Sequence, residues 1–196
     1  DEADVLIMES TYGDKDHESY DDAKAILQDV IGRTYARGGK VIIPSFAVGR
    51  AQELVYTLHQ LTLEQKIPPM EIYVDSPLAV NVTGVFSNHP ECYDEEIREF
   101  ISGSAASRDP FGFRGLKYTR SADDSKALNG IDRPIVIISA SGMPESGRIL
   151  HHLRNNIEQK RNTILLVGFQ AEHTLGRKLE NHESPVSIFG EKFDVR

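Results

Sequence analysis

Residues 135–140, Ile-Val-Ile-Ile-Ser-Ala, begin with four consecutive apolar side chains, as in a strand that is covered on both faces. Similar short runs occur at residues 40–46 (KVIIPSF), 71–75 (EIYVD) and 163–169 (TILLVGF). Strands of this kind are typical of parallel sheets. The sequence therefore predicts an α/β fold in which helices cover both faces of a parallel sheet, a Rossmann-like three-layer arrangement.

The segments between these runs have helical spacing. Further strands are predicted at residues 4–9 (DVLIME) and 186–189. Gly38 and Gly39 are expected to end the first helix, and Ser76 followed by Pro77 is a typical helix start. The apolar positions that predict helices are Ala23, Ile26, Leu27, Val30 and Ile31, then Leu54, Val55, Leu58 and Leu61, then Ile149, Leu150, Leu153 and Ile157. A short helix is expected from Thr174, and residues 102–115 are predicted to form a mobile or functional loop.

Length and composition favour one domain of a cytoplasmic protein. The chain has 196 residues with 39% hydrophobic side chains, which suits a single soluble domain over residues 1–196. No apolar run is long enough to cross a membrane, and Cys92 is the one cysteine, so a disulfide framework or CxxC metal site is excluded within the chain. We therefore expect no membrane partner.

The net charge of -8 is unusual for a protein that binds nucleic acid, because phosphate contacts are made chiefly by Lys and Arg. The charges are unevenly distributed, however. Residues 104–161 contain 10 basic and 6 acidic side chains, whereas residues 1–103 contain 8 and 19. A local basic surface on an acidic protein is compatible with a polyanionic partner, although such a run also occurs on ordinary solvated faces.

Small hydroxylic residues and glycine follow the strands, where ligands bind to open parallel sheets. These segments are residues 9–14 (ESTYGD), 44–50 (PSFAVGR), 75–79 (DSPLA), 139–143 (SASGM) and 168–177 (GFQAEHTLGR). Each segment taken alone is explained by helix caps and turns. Five of them together favour a rim that holds phosphate oxygens through backbone N–H groups, hydroxyls and guanidinium groups.

In this order, the five segments resemble the β-CASP domain of metallo-β-lactamase ribonucleases, which process RNA and mRNA 3′ ends. The resemblance covers nearly the whole chain. It implies an RNA-binding, substrate-clamping lobe of a zinc-dependent ribonuclease, acting as an endonuclease or exonuclease on single-stranded RNA. It also implies that residues 1–15 form a junction to a metallo-β-lactamase lobe absent from this chain, and that the intact enzyme forms a homodimer.

The resemblance assigns roles to particular residues. Glu9 matches the family's acidic motif, whose carboxylate pairs with a histidine of the metal lobe, so it is the predicted catalytic residue. His173 stands where the family usually has glycine, which puts a close backbone approach to phosphate in doubt at that turn. The predicted substrate-binding residues are Ser10, Thr11, Ser45, Arg50, Gln52, Ser76, Ser139, Ser141, Gly142, Arg148, Thr174 and Arg177.

The chain lacks the His-x-His-x-Asp-His cluster with which this family holds two zinc ions. None of its histidines forms an i,i+4 or His-x-His pair, and the adjacent His151 and His152 point about 100° apart on a helix. We therefore predict no metal site in this chain. The two zinc ions of the intact enzyme belong to the absent lobe, and the separated domain is expected to be inactive.

Two other classes of function compete with this prediction. A mononucleotide or dinucleotide enzyme of this fold class predicts GxGxxG or GxxxxGK[ST] after an early strand, and neither motif occurs. A non-catalytic protein-interaction domain is compatible with the acidic first half. The sequences that flank these residues in the full gene discriminate between the interpretations.

Overall fold

The computed structural model describes residues 3–14, 16, 19–103 and 108–196. Five parallel strands form its main sheet: β1 (Val41–Pro44), β2 (Glu71–Asp75), β3 (Leu116–Tyr118), β4 (Ile135–Ser139) and β5 (Thr163–Ile164). Their order across the sheet is β3-β2-β4-β1-β5. A separate antiparallel pair is formed by β6 (Val186–Ile188) and β7 (Glu191–Phe193).

Helices connect the strands. They are α1 (Tyr20–Ala36), α2 (Arg50–Leu63), α3 (Pro77–Asn88), α4 (Glu95–Gly103), α5 (Ala122–Asn129), α6 (Arg148–Asn156) and α7 (Leu175–Glu180). A 3-10 turn at Pro90–Cys92 joins α3 to α4. Within the described ranges, no helix combines the length and the apolar character needed to span a bilayer.

Two hydrophobic cores lie on opposite faces of the sheet, because alternate strand residues point to opposite sides. Ile43, Val74 and Ile138 pack with α1, α2 and α3 on one face. Ile42 and Ile137 pack with α5, α6, α7 and β6 on the other. The predicted three-layer α/β fold is therefore confirmed.

The predicted helix boundaries are confirmed where a cap residue marks them. Ser76 Oγ accepts the N–H of Ala79 at 3.3 Å, and Pro77 is the first residue of α3. Thr174 Oγ1 accepts the N–H of Arg177 at 3.1 Å at the start of α7. Gly38 follows α1 with a φ of 68°, a left-handed conformation that glycine adopts without a steric cost.

The strand predicted at residues 4–9 is wrong. Val5, Leu6, Ile7 and Met8 are 72–90% exposed, and no described residue forms a strand ladder with this segment. Apolar and β-branched side chains alone do not make a strand, because the backbone N–H and C=O groups also require a partner.

The strand predicted at residues 163–169 is shorter than expected. The carbonyls of Lys40 and Ile42 accept the N–H groups of Thr163 and Leu165, both at 2.9 Å. The next residue of β1 that faces this edge is Pro44, which has no N–H to donate. The ladder therefore ends early, and residues 166–169 continue along the sheet edge without strand pairing.

Two further predictions need correction. The strand at residues 186–189 exists as β6, but it pairs with β7 and lies outside the main sheet. The loop predicted at residues 102–115 contains a well-packed part: Phe111 is 4% exposed, and Phe113 stacks on His59 with ring centroids 4.7 Å apart. Its residues 104–107 lie outside the described ranges. Aromatic burial therefore holds residues 110–113 against the core.

His173 has a positive φ, although histidine adopts such a conformation less readily than glycine. Its φ is 67°, in the left-handed region that glycine favours. The histidine side chain is exposed, so the turn retains the geometry that a glycine would give and the cost is local backbone strain. The backbone at His173 is thus in a conformation that glycine adopts more readily.

A buried carboxylate joins the ends of several elements. Asp75, the last residue of β2, is fully buried, and its Oδ2 accepts hydrogen bonds from Ser125 Oγ and His152 Nε2, each at 2.6 Å. Its Oδ1 accepts from Arg148 Nη1 at 2.7 Å and from Thr119 Oγ1. The carboxylate therefore connects β2 with the segment after β3, with α5 and with α6.

Opposing influences act on the pKa of Asp75. Burial raises it, but the hydrogen bonds from His152, Ser125 and Thr119 outweigh burial and lower the pKa from 3.8 to about 2. Because the pKa of the folded state lies below that of the unfolded chain, the ionised carboxylate stabilises the fold above about pH 4. That contribution, about 2 kcal/mol, is lost as the pH falls from about 4 to about 2.

We expect Asp75→Asn to lower the free energy of unfolding by about 3 kcal/mol at pH 7, because Arg148 loses its buried partner. The variant should also lose the part of the acid transition that Asp75 contributes between about pH 4 and pH 2. Urea unfolding followed by circular dichroism across this pH range measures both effects. Asp132→Asn, which removes an exposed partner of Arg161, is the matched control and should change stability by less than about 1 kcal/mol. Equal effects of the two variants would contradict a stabilising role of the buried Asp75 carboxylate.

We expect His173→Gly to raise the free energy of unfolding by about 1 kcal/mol, because relief of the left-handed strain exceeds the extra backbone entropy of glycine in the unfolded chain. His173→Ala keeps a Cβ and serves as the control, with no gain expected. Thermal unfolding of the three proteins compares them directly. A more stable alanine variant would show that the side chain, and not the backbone, is the source of the strain.

Candidate nucleic-acid interface

A cleft of about 540 Å³ opens at the carboxyl end of the sheet. We call it the edge cleft, and its lining includes Glu9, Thr11, Ser45, Phe46, Arg50 and Gly142. These residues come from the N-terminal segment and from the segments after β1 and β4. Parallel strands place such segments together because all their carboxyl ends lie at one edge.

A second depression of about 630 Å³ continues from the edge cleft. We call it the side groove, and its lining includes Tyr12, Tyr20, Arg50, Glu53, Arg177 and Glu180. Tyr12, Arg50 and residues 167–169 line both depressions. Glu9, Arg50 and Arg177, which are far apart in the sequence, therefore lie along one continuous surface.

Glu9 lies at the mouth of the edge cleft with an exposed side chain. Its Oε2 accepts the N–H of Thr11 at 3.1 Å, which holds the carboxylate against its own turn. Ser10 is exposed, and its carbonyl accepts the N–H of Gly13 at 3.0 Å. The turn thus presents a carboxylate and a hydroxyl to solvent at the rim.

Two arginines approach the side groove from the starts of two helices. Arg50 begins α2, and its Nη1 contacts Glu53 at 2.7 Å. Arg177 lies in the first turn of α7, and its Nη1 contacts Glu180 at 2.7 Å. Each guanidinium is thus paired with a carboxylate three residues further along its own helix, and both pairs are partly exposed.

An aromatic pair supports this surface. Tyr12 Oη accepts the N–H of Phe169 at 3.0 Å, and the two rings meet edge to face with centroids 6.2 Å apart. The guanidinium carbon of Arg177 lies 5.5 Å from the centroid of the Phe169 ring. The sequence analysis placed residue 169 both at the end of a predicted strand and in the rim segment 168–177, but it did not name Phe169 as a site residue. Because Pro44 ends the β5 pairing, Phe169 lies beyond the strand, at the rim.

The predicted residues in the segments after β1 and β4 lie close to the cleft surface. Ser45 is 2% exposed, donates through Oγ to the carbonyl of Phe46 at 3.1 Å, and lines the edge cleft. Ser141 is partly exposed, and its Oγ accepts the N–H of Glu145 at 3.3 Å. A Cβ on Gly142 would come within 2.8 Å of the Phe46 ring, so glycine allows the close contact between these two segments.

Other predicted residues are turned into the interior. Gln52 is 2% exposed, and its Nε2 donates to Thr83 Oγ1 at 2.9 Å. Ser139 Oγ donates to the carbonyl of Asp75 at 2.9 Å. Arg148 is held by Asp75, while Ser76 and Thr174 act as helix caps. These contacts hold the rim in place, and the structure does not bring these side chains together with Glu9, Arg50 and Arg177.

The basic segment at residues 104–161 does not form a single cationic surface. Arg154 contacts Glu191 at 2.9 Å, and Arg161 contacts Asp132 at 2.5 Å. Lys117 and Arg133 both contact Glu71. Ion pairs within the chain therefore neutralise much of the local positive charge that the sequence shows.

The described residues contain no group of three His, Cys, Asp or Glu side chains arranged to hold a metal ion. Of the adjacent histidines, His152 is fully buried against Asp75, whereas His151 is exposed and lies against Phe189. The residues described here therefore do not provide a zinc site.

Known proteins resemble this chain in sequence over nearly its whole length. The sequence model of the Beta-Casp domain matches residues 51–179. A ribonuclease of Thermus thermophilus is 36% identical over 195 residues, covering 99% of this chain and 44% of the relative. An RNase J-like protein of Methanocaldococcus jannaschii is 34% identical over 200 residues, covering 100% of this chain and 44% of the relative.

The similarity extends to eukaryotes. An endoribonuclease of Schizosaccharomyces pombe is 33% identical over 195 residues, covering 98% of this chain and 25% of the relative. The chain thus spans less than half of the length of these curated relatives. With its parallel sheet, its rim segments and these matches, the chain belongs to the β-CASP domain family of metallo-β-lactamase-type ribonucleases.

Proposed function

We propose that this chain is the RNA-binding, substrate-clamping lobe of a zinc-dependent ribonuclease. The observation that carries the proposal is the continuous surface on which Glu9, Arg50 and Arg177 lie together at the carboxyl end of the sheet. A single strand in this position contacts the partly exposed Ser141 hydroxyl and the rim segments that contain Ser45 and Gly142. Arg50, which lines both depressions, is the phosphate ligand of the surface.

The N-terminal segment supports a junction with a second lobe. Residues 5–8 expose four apolar side chains next to Glu9, and such a cluster is costly in water unless another surface covers it. We therefore place the metallo-β-lactamase lobe against residues 1–15, of which residues 3–14 are described. In this arrangement the Glu9 carboxylate orients a histidine of that lobe, which protonates the leaving oxygen.

The metal ions belong to the second lobe in this proposal, since the described residues offer no site for them. When bound there, two zinc ions supply an activated water and neutralise charge on the phosphate. The contribution of this chain is to hold the strand and position the Glu9 carboxylate. The separated chain therefore binds RNA without cutting it, and endonuclease or exonuclease mode depends on how the two lobes close.

We also propose that the intact enzyme is cytoplasmic and forms a homodimer. Cys92 is the one cysteine of the chain, which fits a reducing compartment. Light scattering on the intact enzyme measures its oligomeric state.

We expect the separated chain to bind single-stranded RNA weakly, with an affinity that falls as salt rises. Each phosphate contact to a single strand contributes about −0.7 to the slope of log K against log salt. Arg50→Ala should reduce that slope by about 0.7, as measured by fluorescence anisotropy of a labelled oligoribonucleotide between 50 and 200 mM salt. Arg154→Ala removes an arginine paired with Glu191 instead and should leave the slope unchanged. RNA cleavage by the purified chain in added zinc would contradict this division of roles.

We expect Glu9→Gln in the intact enzyme to lower kcat by about 100-fold while zinc content and RNA affinity stay the same, because the neutral amide lacks the charge that stabilises a protonated histidine. Steady-state cleavage assays with metal analysis of each preparation provide the measurement. Asp14→Asn, an exposed carboxylate in the same segment, is the matched control. Unchanged turnover in Glu9→Gln would remove Glu9 from the mechanism.

A further inference from the structure

The side groove differs chemically from a phosphate site. Its described lining contains two guanidinium groups, at Arg50 and Arg177, and three carboxylates, at Asp16, Glu53 and Glu180. A polyanion gains little from a surface on which carboxylates match or outnumber the cations. The wall also includes the rings of Tyr12, Tyr20 and Phe169, which are flat apolar surfaces with polar edges.

This combination fits a nucleobase. Base recognition outside a duplex uses stacking on aromatic rings or guanidinium planes together with hydrogen bonds along the edges of the base. The Phe169 ring, with the Arg177 guanidinium over it, forms such a wall. The Arg177–Glu180 pair provides donors and acceptors side by side, and Glu53 adds a second carboxylate to the lining.

The donors and acceptors favour guanine over the other bases. Guanine has two adjacent acceptors, O6 and N7, that match the two parallel donors of a guanidinium. It also has two adjacent donors, N1–H and the N2 amine, that match the two oxygens of one carboxylate. Adenine, cytosine and uracil lack one or both of these adjacent sets, so a surface with exposed arginine and glutamate side chains matches guanine best.

We infer that the side groove is a guanine-binding subsite for a nucleotide of the RNA strand beside the edge cleft. This inference rests on the proposed function, because the edge cleft holds the phosphate next to the bound base. The ion pairs within α2 and α7 are partly exposed, so they exchange for contacts to the base at little cost. Arg177 and Glu180 are the specificity-determining pair on one side of the groove, and Arg50 and Glu53 lie on the other.

Titration of the isotopically labelled chain with GMP, AMP, CMP and UMP, followed by NMR, tests the subsite. The four probes have the same phosphate, so differences among them report the base. We expect GMP to bind at least about fivefold tighter than AMP, with the largest shifts at Tyr12, Phe169 and Arg177. Equal affinity for the four nucleotides would overturn the inference.

Matched variants separate the role of the carboxylates from that of net charge. Glu53→Gln/Glu180→Gln removes both paired carboxylates of the groove and should abolish the preference for GMP. Asp123→Asn/Glu191→Gln removes two exposed, ion-paired carboxylates outside the groove and should retain it. A preference that survives in the first variant would also overturn the inference.

RNA probes connect the subsite to the proposed function. A five-nucleotide RNA with one central guanosine should bind tighter than its all-adenosine counterpart, with shifts in both the side groove and the edge cleft. Equal binding of the two RNAs, with shifts confined to Ser45, Gly142 and their neighbours, would overturn the guanine subsite and leave RNA binding intact. The absence of binding by either RNA would overturn both proposals. Binding of GMP without a preference between the RNAs would assign the groove to a free nucleotide and overturn the inference for the strand.

Discussion

The hydrogen bonds to the buried carboxylate of Asp75 connect the elements that shape the rim of the sheet. One side chain at the end of β2 receives donors from the segment after β3, from α5 and from two residues of α6. A fully buried carboxylate is unfavourable without such partners, so the donors must be in place for this edge to form. Arg148 also donates to the carbonyl of Arg120, which extends the network to the surface. Several hydroxyl, imidazole and guanidinium groups look like ligand-binding groups in the sequence. In the structure they form hydrogen bonds to the Asp75 carboxylate instead.

The proposed function gives this acidic chain a polyanionic ligand, and the ion pairs within the chain bear on how the two are compatible. Among the described residues, many basic side chains of residues 104–161 are paired with neighbouring carboxylates, so this segment does not form one broad positive surface. Under the proposed function, contact with RNA depends on a few groups in a concave surface, where shape brings donors close to the strand. An affinity built on few phosphate contacts leaves room for recognition of bases and for closure by a second lobe.

The sequence predicts the central architecture well because fully buried parallel strands have an unambiguous apolar pattern, as in Ile135–Ser139. The sequence does not predict the outcome where a strand depends on hydrogen bonds to a neighbouring strand. Residues 4–9 resemble a strand but have no ladder, and the proline at position 44 ends β5 early. The three residues of β3 are too short to give a pattern. For the interface, sequence order identifies the rim segments, but it does not show that Gln52 and Ser139 turn inward while Phe169 lines the cleft. Those directions depend on tertiary packing.

Arg50 and Arg177, the two arginines of the side groove, belong to different halves of the protein. Arg50 begins a helix that packs in the core on one face of the sheet, whereas Arg177 belongs to a helix that packs in the core on the other. The distance between the two guanidinium groups therefore depends on how the helices on the two faces of the sheet are positioned relative to each other across the edge strand β5. Under the proposed function, a substitution deep in either layer can change the spacing of the two arginines, and so their contacts to a bound strand, without contacting that strand. Selection on substrate preference can thus act at positions remote from the substrate, through the alignment of the layers.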